Sequence, residues 1–299
     1  MRLLSILLSG VLSLWLPAWL ESGAALPNSP APRRAAAVVA PLPVPNPQDV
    51  SIFEEKVQIA SGESALPART LAVARSFLGA PYVSGTLNQN SGREQLILNL
   101  RELDCWTFVE NSMAIALTAG SSGPAFDTLQ QFVRQLRYWG GTVDGFASRN
   151  HYFSGWLLQA DKLGYLHDLT RAFGGIPYRK TIGYMTAHPQ QYPPLCQSEV
   201  CRQMKAVEQR LNQHNWYFIP QNRVAKIEHL LRDGDIIALT SGKKGLDIAH
   251  QGFAVRKNGR IYLLHASSLH KRVILSAQPL AQYLLGQKGQ TGIMVARID

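Results

Sequence analysis

Cysteine is scarce in this chain, with three in 299 residues: Cys105, Cys196 and Cys201. Neither a CxxC pair nor an HExxH run occurs, so the close spacings of common metal sites are missing. After the N-terminus no apolar stretch is long enough to span a bilayer. There is no helix-turn-helix, zinc-finger or aromatic RNA-platform pattern, which removes the usual grounds for a nucleic-acid partner. No internal repeat is found. Acidic residues are outnumbered, 20 against 30 Lys and Arg, giving a net charge of +10. That balance suits an anionic partner such as a cell-wall polymer, an acidic glycan or an anionic lipid, although a basic surface that only aids solubility accounts for it as well. With 46% apolar residues the chain can fill one large domain or two small ones.

The one long apolar run lies at the start. MRLLSILLSGVLSLWLPAWLESGAALP carries Arg2, an apolar stretch from Leu3 to Leu20, and the small residues Gly23, Ala24 and Ala25. This is the layout of a secretory signal peptide, residues 1–25. Pro17 and Glu21 shorten the run, which argues against a retained anchor, and no cysteine lies near the cut for lipid attachment. The expectation is an exported protein, periplasmic or extracellular, with no stable membrane anchor after cleavage. Removing residues 1–25 takes away one base, Arg2, and one acid, Glu21, so the net charge stays at +10. Residues 26–49 are dominated by Pro and Ala and read as an extended linker. Residues 50–299 read as the folded domain. In an oxidising compartment Cys196 and Cys201, five apart, are expected to pair as a disulfide, leaving Cys105 alone.

Hydrophobic periodicity divides the domain. LPARTLAVARSFLG predicts a helix with Pro67 in its first turn and Gly79 at its end. Asp104 is placed to cap a second helix, Cys105 to Leu117, apolar on most sides and therefore buried. A third runs over 125–138 and stops at Gly140-Gly141. A fourth runs from about Glu199 to Gln213, with Ser198 as its cap. From Gly234 the period falls to two, and DIIALT, IAHQGFAVR, RIYLLHASS, RVILSA and GIMVARI read as strands. Helices followed by strands indicate an α+β domain with a C-terminal antiparallel sheet.

Cys105, unpaired at a helix start, has the position of a nucleophile, because the positive end of the helix dipole favours thiolate. Free cysteines are more often buried and inert, so position alone is weak evidence. The strands add to it. Asn258-Gly259 signals a two-residue hairpin turn. With those two residues as the turn, Lys257 faces Arg260, Gly252 faces His265, and His250 lies diagonally from His265 on the same face. Gly252 has no side chain to separate the imidazoles. One ring would take the Cys105 proton and the other would hold the first in place. A zinc site built from Cys105, His250 and His265 is a second reading of the same residues, and two unrelated histidines on a half-buried face is a third.

DCWTFVE, LRDGDIIAL, AHQGFAV and LLHASS, in that order, resemble the NlpC superfamily of papain-like cell-wall cysteine hydrolases. The motifs are Pro81-Tyr82, Asp104-Cys105, Gly234-Asp235, His250-Gln251-Gly252 and His265-Ala266-Ser267. The resemblance covers most of 66–117 and 230–277. It implies a papain-like core, Cys105 as nucleophile, His250 as base and His265 as its orienter. Tyr82, Asp104 and Ser267 are then expected at the substrate, and peptidoglycan or muropeptides as partner, with no cofactor and no metal. The chain departs from common relatives in a large insertion, about 119–222, expected to be mostly helical. Within it SRNHYFSGWL, residues 148–157, resembles the N-acetylmuramoyl-L-alanine amidase-like branch. Arg149 and His151 are its candidate substrate contacts, Arg149 for a carboxylate; the alternative is a structural lid. The resemblance implies cleavage of the N-acetylmuramoyl-L-alanine amide. The rivals are a D-glutamyl-diamino acid endopeptidase of the stem peptide, a non-catalytic wall-binding protein, and an acyltransferase on lipid.

Overall fold

The computed structural model describes residues 42–88 and 93–299. The expected signal peptide, 1–25, and most of the expected linker lie outside the described residues. The chain is helical first. Helix α1 covers Pro47–Ser61, capped by the Asn46 side chain on the Gln48 N–H. Helices α2 (Leu66–Ser76), α3 (Cys105–Ala119), α4 (Phe126–Arg137) and α5 (Phe153–Lys162) follow. Strands β1 (Leu166–Asp168) and β2 (Ile176–Pro177), helices α6 (Tyr184–Ala187) and α7 (Ser198–Asn212), strand β3 (Tyr217–Pro220) and helix α8 (Val224–Ile227) lead to the last third. There the strands are β4 (Ile236–Ser241), β5 (Ile248–Lys257), β6 (Arg260–Ser267) and β7 (Arg272–Leu275), then helix α9 (Leu280–Leu285) and strand β8 (Gln290–Ile298).

The strands form an antiparallel sheet in the order β2-β3-β8-β4-β5-β6-β7, with β1 also on β8. One face carries Ile236, Ala238, Phe253, Val255 and Leu264 toward α1–α5, where Phe108, Val109 and Met113 of α3 are fully buried. The other face carries Ile237, Leu239, Ala254, Ile261 and Leu263 toward Leu280 and Leu284 of α9. Residues alternate between two cores because both faces are covered.

Several sequence expectations need correction. Helix α1 was hidden in the Pro-rich stretch. Asn46-Pro47 is a cap followed by a first-turn proline, so folding starts inside the residues read as linker. Helix α7 begins at Ser198 itself. Gln197 holds the cap position, with no side-chain bond, so Ser198 is not the cap. The insertion is not only helical, because β1 and β3 pair with β8 and extend the main sheet. Cys196 and Cys201 are both free. Cys196 ends a 3-10 turn and Cys201 lies near the start of α7, and no disulfide joins them.

Candidate functional site

The site is assembled from two local structures that the sequence encodes well. The first is the start of α3. The Asp104 carboxylate accepts the N–H groups of Trp106 (3.0 Å) and Thr107 (2.8 Å), and Thr107 Oγ1 accepts the Asp104 N–H at 2.9 Å. This capping box fixes where the helix begins and puts Cys105 in its first turn. Phe108, one turn on, packs edge-on against Phe253 of β5 with ring centroids 5.6 Å apart. That contact seats the helix start against the strand carrying His250.

The second is the β5–β6 hairpin. Asn258 and Gly259 both have positive φ, 51° and 77°, and Lys257 faces Arg260 as the turn requires. At the far end His250 Nε2 meets His265 Nδ1 at 2.6 Å, with the rings edge to face. A Cβ added at Gly252 would lie 2.5 Å from the Leu264 carbonyl oxygen and 2.9 Å from His265 Cβ. The glycine therefore lets the strands approach closely enough for the rings to touch. A bulge beside His250 assists. Leu239 faces His250 while Thr240 faces Ile248, so Ala249 is left over and exposed. A cavity of about 450 Å³, lined by Lys243, Leu246, Ala249, Lys288 and Gln290 among others, opens beside this bulge.

The two structures meet at the thiol. Cys105 is partly buried, and the backbone N–H of Gln251, the residue after His250, points at its sulfur. Its own N–H and that of Trp106 do the same. Burial and the Asp104 charge nevertheless push the thiol up to about 12. Burial and the Asp104 charge thus oppose the helix-start effect that favours thiolate. Burial holds His250 down to about 4. Burial and the neighbouring His250 and His270 hold His265 down to about 3. His265 Nε2 is buried and has no hydrogen-bond partner among the described residues.

Tyr82 pairs with Leu103, two residues before Cys105, and is pushed up to about 12 by burial and by the charges of Cys105 and Asp104. Ser267 is buried at the end of β6, where its hydroxyl accepts the His270 N–H at 3.2 Å. Tyr283 of α9 was missed by sequence reasoning. Its ring lies 5.5 Å from that of His265, and it feels the Cys105 charge, so it borders both. Nothing local signals this, because α9 is a two-turn helix whose tyrosine reaches the site only through the fold.

The SRNHYFSGWL segment behaves differently from its expectation. Arg149 is buried, 3.3 Å from the Glu94 carboxylate, and donates to the Leu87 carbonyl at 3.2 Å. Its guanidinium is already matched to an internal acid and is not presented to a ligand. His151 contacts the Phe146 carbonyl at 2.7 Å and stacks on the Phe146 ring, and burial holds its pKa far below the ordinary value. Neither reaches the Cys105 cluster by any contact described. Ser154 of the same segment instead donates N–H and O–H to Asp247, both at 2.9 Å. Asp247 directly precedes the strand of His250, so this segment braces the histidine strand.

Comparison with known proteins agrees with this architecture. A family model described as AmiA-like, N-acetylmuramoyl-L-alanine amidase-like, matches residues 72–293. A crystal structure of an N-acetylmuramoyl-L-alanine amidase from Bacteroides uniformis is 35% identical, covers 78% of this chain and 99% of its own, and superposes with a TM-score of 0.74. A structure of a putative xylanase from Bacteroides fragilis is also 35% identical, with 75% and 98% coverage and a TM-score of 0.70. A Legionella pneumophila protein of family DUF1460 shares the fold at 18% identity, with 84% and 94% coverage and a TM-score of 0.64. No curated protein gives a significant match.

Proposed function

The chain belongs to the N-acetylmuramoyl-L-alanine amidase-like family, and from that premise we propose that it is an exported peptidoglycan hydrolase with a papain-like core. It cuts the amide between N-acetylmuramic acid and L-alanine through Cys105, His250 and His265. The observation that carries the reading is the 2.6 Å contact between His250 Nε2 and His265 Nδ1, on the strand whose next amide meets the Cys105 sulfur.

The His250–His265 contact sets the order of events. His265 occupies His250 Nε2, so His250 Nδ1 is the lone pair left for the thiol. His250 Nε2–H then donates to His265 Nδ1, which fixes the tautomer. As the sulfur attacks the carbonyl carbon of the lactyl amide, the thiol proton passes to His250. The carbonyl oxygen takes up negative charge near the Cys105 backbone N–H and the Tyr82 hydroxyl, which its raised pKa keeps protonated. The C–N bond breaks, and the alanine nitrogen leaves with the proton from His250. The muramoyl thioester on Cys105 is then attacked by water, whose proton returns through His250 to the sulfur as the muramic carboxylic acid departs.

The test is digestion of purified peptidoglycan and of separate muropeptides with the mature protein, read by mass spectrometry. Peptide-free glycan and a stem beginning at L-alanine are expected, and Cys105→Ala should fold normally and give neither. Products retaining L-alanine and D-glutamate on muramic acid would show stem-peptide endopeptidase action instead. Full activity of Cys105→Ala would end the cysteine mechanism.

A further inference from the structure

The β6–β7 connection, Ser268 to Lys271, is closed by the Ser267–Arg272 pair and leads into a segment that pairs with Pro81-Tyr82. Lys271 has φ 55°, in the left-handed region. A side chain there costs about 1–2 kcal/mol, and glycine or asparagine usually fills such positions. A lysine kept in such a conformation invites a functional explanation.

Its surroundings supply one. The Lys271 carbonyl accepts the Tyr82 N–H at 2.9 Å, and Arg272 bridges Pro81. On the other side of this extended segment, the Leu103 N–H donates to the Pro81 carbonyl at 3.0 Å and the Val83 N–H to the Leu103 carbonyl at 3.1 Å. Leu103 leads directly into Asp104-Cys105. Three segments therefore run side by side: Lys271-Arg272, Pro81-Tyr82, and the chain entering Cys105. At the usual spacing the outer two are about 10 Å apart. The Lys271 ammonium lies 5.9 Å from the centre of the Tyr82 ring. Lys271, His270 and Arg272 are all exposed, and none is in an ion pair among the described residues. Arg149, the sequence candidate for a carboxylate, is by contrast consumed by Glu94.

We propose that Lys271 is the residue that binds the substrate's peptide carboxylate, specifically the free α-carboxylate of the second stem residue. This rests on the stem peptide being the leaving group at Cys105. Two extended residues span about 7 Å, so a stem whose first nitrogen lies at the sulfur places that carboxylate within reach of a lysine on the neighbouring segment.

Binding is measured in the Cys105→Ala background with two muropeptides, one ending in a free D-glutamate α-carboxylate and one carrying its amide. Introducing Lys271→Gly should weaken the carboxylate ligand about tenfold or more and leave the amidated one nearly unchanged. Lys271→Arg should retain the discrimination. Thermal unfolding of Lys271→Gly should hold or rise, because glycine relieves the left-handed strain. Equal loss for both ligands, no loss for either, or a fall in melting temperature would overturn the inference. In the otherwise wild-type protein, KM for the carboxylate substrate should rise with Lys271→Gly. Cleavage with an unchanged KM sinks this inference alone. Absence of any cleavage by the wild type sinks the hydrolase reading, and this inference with it.

Discussion

The two histidines are chemically distinct although they share one hydrogen bond. In the proposed mechanism His250 gains and loses a proton in each half-reaction, whereas His265 only accepts from it. His250→Ala should therefore lower kcat/KM by at least about two to three orders of magnitude, the usual scale for a general base. His265→Asn should cost less, since an amide oxygen still accepts from His250 Nε2–H. The reverse ranking in muropeptide hydrolysis would exchange the roles. Burial holds His250 near 4 and His265 near 3, both below the ordinary 6.5. The acid limb of kcat/KM should then fall well below pH 6.5, because His250 remains a free base as the pH drops. Stability moves with the same groups. Between pH 6.5 and 4 the unfolded chain binds protons that the buried pair refuses, so stability is full above that window and declines as pH falls through it. The slope is about 1.4 kcal/mol per pH unit for each histidine that stays neutral. Urea unfolding at several pH values measures it, and a flat profile across the window would mean that the pair is solvated.

At the scale of elements, α3 is started by a charge that works against its own nucleophile. Asp104 caps the helix, yet its carboxylate helps push the Cys105 thiol up. Asp104→Asn keeps a capping oxygen and removes the charge. The pH at which iodoacetamide alkylates Cys105, followed by peptide mapping to separate it from the free Cys196 and Cys201, should move to lower values. An unmoved profile would mean that burial alone sets the thiol. Much of this element-level design was legible. Asp104 before an apolar run gives the cap, and Asn258-Gly259 fixes the hairpin register that brings His250 to His265. These are local rules of turn and helix-end chemistry. Helix α1 was missed because Pro-rich flanking sequence masked a one-residue cap. Tyr283 and the Ser154–Asp247 contact were missed for a different reason. They join residues far apart in sequence, and no period or turn signal announces a side-chain contact across 93 positions.

On the scale of the whole molecule, the insertion is part of the same folded body as the Cys105 and histidine elements. It supplies β1 and β3 to the edge of β8. Tyr152, Met185 and Glu208 are tied by hydrogen bonds inside it, and Ser154 fastens it to the histidine strand. Arg137 of α4 reaches across to Glu110 of α3, with both side chains fully buried and Nε 2.7 Å from the carboxylate. The same arginine donates to the Ile97 carbonyl, holding the loop that precedes the nucleophile. Removing residues 119–222 should therefore abolish cooperative folding and not return a smaller hydrolase. A sharper measurement uses the ion pair. Arg137→Met strands a buried carboxylate on the catalytic helix and should cost about 3–5 kcal/mol, whereas breaking both partners together, Arg137→Met with Glu110→Gln, should cost clearly less than the sum of the two single changes. Since Glu110 lies on the helix that begins with Cys105, the single variant should also lower kcat. Additive losses in denaturant midpoints would show that the pair does not couple the insertion to α3.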